Sequence, residues 1–280
     1  MNLHQMYLVR NACYMAGVKM VPRGLMLHST GANNPNLRRY IQPDDGHLGP
    51  NPYNNHWNTY HGGGADIGPH QYVDNGSGYC ATCGGRQVCA HGMIGLTADG
   101  DIASYQLLPW DTQGWHSGGG SKGQANKLGY IGVEICEDAL TDGAYFLRAY
   151  NEAVELFAYL CAEYGIDPAG TTPEGYPTII DHAEGHKLGI ASNHGDVGHW
   201  FPRFGKSMDD FRKDVKEAMT ATYWNTVDEV PEWGRPTIQK LVDKGALKGI
   251  DDEGSLALTF DLVRLYVVHD RLGLYDFEGR

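Results

Sequence analysis

Residues 181–204, DHAEGHKLGIASNHGDVGHWFPRF, gather four histidines (His182, His186, His194 and His199) and several acidic residues into one short segment. An apolar run at 176–180 precedes them and reads as a strand. A strand that ends in histidine and runs into a loop rich in His and Asp is a common route to a metal site. The rigid strand fixes one ligand and the loop returns with the next. A further ligand is expected from elsewhere, and His28 is the best candidate. It closes a second apolar run, Gly24-Leu25-Met26-Leu27, and the polar loop STGANN follows it. Two strands with a histidine at each C-terminal end, plus an aspartate from a loop, make a three-ligand site with one position open. That composition suits a catalytic zinc rather than a structural one.

Around these two strands the pattern is α/β. Residues 93–96 and 102–108 read as strands joined by an Asp-Gly turn, a strong hairpin signal. YIGVEIC at 130–136 is another strand, with Glu134 interrupting its apolar run. A carboxylate near a buried face is costly unless it is paired or its pKa is raised, and a raised pKa is what a general base needs. The plainer alternative is a structural salt bridge. Residues 143–165 form the best helix, with Phe146, Ala149, Tyr150, Ala153, Phe157, Leu160, Cys161 and Tyr164 spaced by three and four. Thr141 and Asp142 offer a cap and Gly165 a stop. The one-sided stripe predicts packing on a sheet. A second helix at 208–222 closes the domain.

Residues 1–22 read as a short helix and an approach to the first strand. Residues 29–92 are rich in Gly, Asn, Pro, His and Tyr and show little periodicity, and loops of that length are usually functional. Arg38, Arg39, Tyr53, Trp57 and Tyr60 are candidates for substrate contact, unless the aromatics only pin the loop to the body. Cys80 and Cys83, followed by Cys89 and His91, have the spacing of half a zinc knuckle; they are a second metal site or free thiols. The loop GWHSGGG at 114–120 lacks a phosphate-cradling pattern. From residue 223 the character changes. A helix from about 230 carries Ile238, Leu241 and Val242 and stops at Gly245, and Thr259 caps a last helix with Leu262, Val263, Tyr266 and Val267. The expected division is a catalytic domain at 1–219 and a small helical module at 220–280.

Composition bounds the function. The 280 residues carry a formal net charge of -12. That size allows one good core and a small second domain. The acidic balance argues against nucleic-acid binding, because no basic face is available to neutralise phosphates. No apolar run approaches membrane-spanning length. The N-terminus lacks a signal-peptide layout, so synthesis in a cytoplasm is expected. Without such a signal, six cysteines are weak grounds for disulfides, and Cys136 and Cys161 read as buried thiols.

In order along residues 20–215 stand MLHSTG around His28, CAHGMIG around His91, DGDIASYQLLP, GWHSG, IGVEI around Glu134, and His182 with DVGHWF. This ordered set resembles the zinc-dependent N-acetylmuramoyl-L-alanine amidases of the amidase-2, peptidoglycan-recognition-protein-like superfamily. More narrowly, it looks like endolysins of phages and prophages of clostridia-like bacteria. The resemblance implies a mixed central β-sheet flanked by helices, Zn2+ as cofactor and peptidoglycan as substrate. It implies His28, His182 and Asp196 as metal ligands, with His194 as rival for the third place. Val197 stands where the family has proline, and the spacing from His182 to Asp196 is lengthened around 186–192. Glu134 matches the catalytic glutamate. His194 stands where a lysine commonly stabilises the oxyanion. His91 and His116 match positions that line the cleft, and Trp115 and Asn34 are expected to bind substrate with them. The C-terminal module resembles segments used for wall attachment or self-association, so a homo-oligomer is one expectation. Action on the wall would follow release from the host cytoplasm through a holin.

Rival readings weaken against the same residues. A zinc peptidase or deaminase of another fold lacks its HExxH or HxE and PCxxC motifs here. A glycosidase needs a carboxylate partner for Glu134. A peptidoglycan-binding protein without catalysis would lack one zinc ligand.

Overall fold

The computed structural model describes residues 1–51, 88–220, 224–250 and 254–276. The chain divides into two compact units, Met1–Glu217 and Ala218–Arg280. Among the described residues of the first unit, six strands form one mixed sheet: β1 (Leu3–Gln5), β2 (Gly24–Ser29), β3 (Gly92–Leu96), β4 (Ile102–Gln106), β5 (Tyr130–Ile135) and β6 (Ile179–Asp181). Their spatial order is β1-β4-β3-β5-β2-β6. Only β3 and β4 run antiparallel, as the Asp-Gly turn requires; the other neighbours are parallel. The helices are α1 (Ala12–Ala16), α2 (Gly143–Tyr164), α3 (His182–Leu188), α4 (Met208–Thr220), α5 (Arg235–Asp243) and α6 (Phe260–Arg271).

Helix α2 starts where Asp142 accepts from the amides of Ala144 and Tyr145, and it ends at Gly165, whose left-handed φ of 64° closes the last turn. Its apolar stripe lies on one sheet face, where Ser104 of β4 donates to Glu152 at 2.7 Å. On the far side of the stripe an aromatic cluster holds the segment after the metal-ligand candidates. Phe146 meets Trp200 edge-on at 5.3 Å, Tyr150 meets Phe201 at 5.4 Å, and Phe157 meets Phe211 of α4 at 5.0 Å. Trp200 and Phe201 are fully buried. Such aromatic pairs add about 0.5–1.5 kcal/mol each beyond the area they bury.

Strands β2 and β5 sit in the middle of the sheet with His28 paired to Glu134 in register. Residues paired across neighbouring strands present their side chains on the same face. His28 and Glu134 therefore stand side by side at the C-terminal ends of two parallel strands, where open α/β sheets place their ligand sites.

Three local expectations are corrected. The strand expected at 176–180 begins only at Ile179, because Thr178 is held by Asp167 and Gly170. The histidine-rich segment opens with a helix rather than a loop. Asp181 caps α3 by accepting from Glu184 N, and the Glu184 carboxylate reaches back to Asp181 N in a capping box. The N-terminal approach contains β1, three residues too short to display a period.

In the second unit, α5 and α6 pack around Val230, Ile238, Leu258, Val263 and Val267. Thr259 caps α6 by accepting from Leu262 N at 3.2 Å.

Candidate metal centre

His28 is the penultimate residue of β2 and is almost wholly buried. His182 is the first residue of α3, set directly after β6 by the Asp181 cap. Asp196 opens a 3-10 turn, Asp196–His199, whose next residue, Val197, is fully buried. Asp196 adopts a left-handed φ of 31°, which costs energy for a non-glycine residue and is kept because the following aromatics pin the turn. These three elements bring three donor atoms together. Asp196 Oδ2 lies 2.9 Å from Nδ1 of His28 and 2.9 Å from Nδ1 of His182, and the two Nδ1 atoms are 3.1 Å apart. The edge of a tetrahedron with zinc-type bonds is about 3.3 Å. Two imidazole nitrogens and a carboxylate oxygen at these separations form a donor set for a divalent metal ion.

The electrostatics agree with that geometry. Burial lowers the His28 imidazole below the usual histidine range despite Asp196 beside it, and a metal ligand must be neutral. Burial alone would raise Asp196, but hydrogen bonds and charge from His182 and His28 hold its carboxyl well below the usual range. Glu134, on the neighbouring strand, moves the other way. Burial first, then the charges of Asp196 and Glu137, push its carboxyl well above the usual range. Its Oε2 is enclosed without a hydrogen-bond partner, so the salt-bridge alternative finds no cation among the described residues.

Behind the ligands lies a second layer. His28 Nε2 meets His116 Nδ1 at 2.9 Å, and His116 Nε2 meets the Tyr130 carbonyl at 3.1 Å. His91 is completely buried: its Nε2 donates to the Thr112 carbonyl at 2.7 Å and its Nδ1 accepts from Gly132 N at 3.0 Å. His182 Nε2 meets Ser192 Oγ at 3.2 Å, and the same hydroxyl lies 3.1 Å from Nδ1 of the exposed His194.

Of the expected cleft-lining residues, His91 is fully buried, while His116, Trp115 and Asn34 are half-buried. His91 lies beneath the site and offers no surface to a substrate, since both ring nitrogens are spent on backbone. His116 supports His28 through one nitrogen and Tyr130 through the other. Asn34 turns inward on its own loop, accepting from Asn36 N at 3.1 Å. Trp115 pairs through its backbone with Cys89. Of the two contenders for the third ligand, Asp196 meets both histidines, while His194 lies tilted beside His182 with ring centres 4.6 Å apart. Cys89 is a free thiol in an apolar cluster with Leu8, Met93 and Tyr105. Cys80, Cys83, Tyr53, Trp57 and Tyr60 lie outside the described residues. Two participants were not foreseen. Ser192 carries no motif. Glu137, nearly fully buried, lies 2.9 Å from His199 Nε2, and only the run EICED hinted at it.

Residues 18–199 match the family described as N-acetylmuramoyl-L-alanine amidase, Amidase_2. The chain belongs to this amidase family. Among curated relatives, the amidase XlyA of Bacillus subtilis (strain 168) is 41% identical over 152 residues, 52% of this chain and 46% of that protein. The amidase CwlH of the same organism is 35% identical over 100 residues, 33% of this chain and 38% of its own. The chain thus spans less than half the length of these relatives. Among solved structures, the catalytic domain of XlyA aligns with a TM-score of 0.43 at 19% identity, over 77% of this chain and 99% of that one. The PlyG catalytic domain aligns with a TM-score of 0.45 at 19% identity, over 81% and 100%. The match to the amidase family takes in His28, Glu134, His182 and Asp196 together.

Proposed function

We propose that this amidase hydrolyses the amide between the lactyl group of N-acetylmuramic acid and L-alanine in peptidoglycan, with zinc held by His28, His182 and Asp196. The observation that carries the reading is the convergence of those three donor atoms beside an unpartnered, raised Glu134 on the adjoining strand. When bound, zinc supplies Lewis-acid polarisation of the scissile carbonyl and lowers the pKa of an attacking water toward neutrality.

The chain's own residues supply the rest. Glu134 takes a proton from the attacking water as the new C–O bond forms. It returns that proton to the alanine nitrogen as the C–N bond breaks, leaving a lactyl carboxyl group and a free amine. A raised carboxyl pKa narrows the gap to the groups it exchanges protons with. His194, exposed and steadied by Ser192, donates a ring N–H to the oxyanion in the place a lysine commonly fills. With all three ligand positions present, the catalytic reading is favoured over a binding protein of the same fold.

Residues 220–280 are proposed as a wall-attachment or self-association module, and wall degradation after holin-dependent release, leading to host lysis, as the biological setting. The test is digestion of purified peptidoglycan. New N-terminal alanine without new reducing sugar ends is the expected product. Reducing ends without free alanine would instead indicate a glycosidase and overturn the proposal.

A further inference from the structure

On the zinc reading above, we infer that His116 is a positioning residue that fixes the tautomer of His28 and thereby aims a lone pair of His28 at the metal. Two neighbours of this pair of rings can only accept, the Asp196 carboxylate and the Tyr130 carbonyl; on the zinc reading Asp196 and Nδ1 of His28 would share the ion, so the proton positions follow outward from the carbonyl. The Tyr130 carbonyl, 3.1 Å from His116 Nε2, requires a proton on that nitrogen. In a neutral imidazole the other nitrogen, Nδ1, is then an acceptor. His28 Nε2, 2.9 Å away, must be the donor to it. Nδ1 of His28 is left without a proton, and it is the atom that meets His182 and Asp196.

Neutrality of His116 follows from the same contacts: a lone pair on Nδ1 of His28 leaves the proton on Nε2, and that N–H needs an unprotonated Nδ1 of His116 to receive it. Space for the ring is made by sequence: a Cβ on Gly132 of β5 would overlap it. His91 holds that strand position from below by accepting from Gly132 N. The motif GWHSG is thereby tied to the metal site, although His116 contributes no ligand atom.

The choice of histidine has a chemical consequence. Metal-bound histidines usually donate their second N–H to a carboxylate, a carbonyl or water. A carboxylate here would add a second negative charge to the one from Asp196. A neutral imidazole orients His28 equally well and leaves the ion its Lewis acidity.

Zinc affinity of the full chain, measured by chelator competition, tests this in the parent and in His116→Phe, His116→Gln and His116→Asn. Asparagine places its carbonyl oxygen where Nδ1 stood, whereas glutamine reaches toward Tyr130 and leaves His28 without an acceptor. Phe and Gln are expected to weaken zinc binding about 10–100-fold, and Asn to recover most of the loss, with the melting points of the zinc-free proteins close together. Should Phe fail to fold, Gln against Asn carries the comparison. Equal affinity in parent and Gln, or equal losses in Gln and Asn, would overturn the assignment. A parent that binds no zinc would overturn the zinc reading itself, and this inference with it.

Discussion

Glu134→Gln is predicted to slow the enzyme and stabilise its zinc-free fold at once. The kinetic part comes from losing the proton acceptor. General acid–base groups contribute about 10²–10⁴-fold, or about 2.7–5.4 kcal/mol at 1.36 kcal/mol per decade. The stability part comes from the environment of Glu134: a carboxylate whose Oε2 is enclosed and unpartnered, with Asp196 and Glu137 adding like charge. Leaving a buried polar group unsatisfied costs about 1–3 kcal/mol, more when charged. A neutral amide of the same shape escapes the charged portion. The sign is fixed by linkage. A carboxyl raised in the folded state contributes stability that is fully present below its unfolded pKa of about 4 and is lost as pH rises through the folded value. The advantage of Gln is therefore absent near pH 4 and complete on the alkaline side. Melting chelator-treated parent and variant across that range, with alanine release measured on the zinc-loaded forms, checks both parts. For a unit of this size, about 2–4 °C per kcal/mol is expected. A variant that keeps the parental rate, or melts below the parent at every pH, would refute the assignment of Glu134 as a half-buried, unpaired base with Oε2 enclosed.

Two further perturbations probe the surroundings. Burial holds His91 at about 4 against 6.5 for a free histidine. A group depressed in this way contributes stability that is intact above 6.5 and lost as pH falls toward 4. The difference, 6.5 minus 4, corresponds to about 3 kcal/mol. Denaturant titrations of the zinc-free protein at neutral pH and at pH 4 should show that drop, and His91→Gln should flatten it. Phe201→Ala removes a fully buried ring that packs against Tyr150. A loss of about 3–5 kcal/mol is expected from chemical denaturation, together with weaker zinc binding because the turn carrying Asp196 loses its anchor. Unchanged zinc affinity at that loss of stability would show that the turn holds without the aromatic cluster.

Much of this site is written in local sequence. His28 closes one apolar run and Glu134 interrupts another, and the strand pattern alone places them at sheet positions. Their pairing in register is a tertiary fact that no local pattern contains. The α3 helix did have a signal: Asp181 followed three residues later by Glu184 is a capping box, outweighed in the reading by the density of histidine. The second layer was the hardest to see. His91 and His116 look like cleft residues because histidine is rarely buried without purpose. What decides their role is the acceptor each one meets, Thr112 O and Tyr130 O, and backbone carbonyls leave no trace in a sequence. Ser192 falls in the lengthened spacing between His182 and Asp196, where no family pattern applies.

Elemental analysis of purified protein, paired with wall lysis before and after chelation, tests the metal centre most directly. One zinc per chain is predicted, with lysis lost on chelation and restored by zinc, and with neither zinc nor lysis in His28→Ala. Protein without zinc, or lysis indifferent to the chelator, would contradict it.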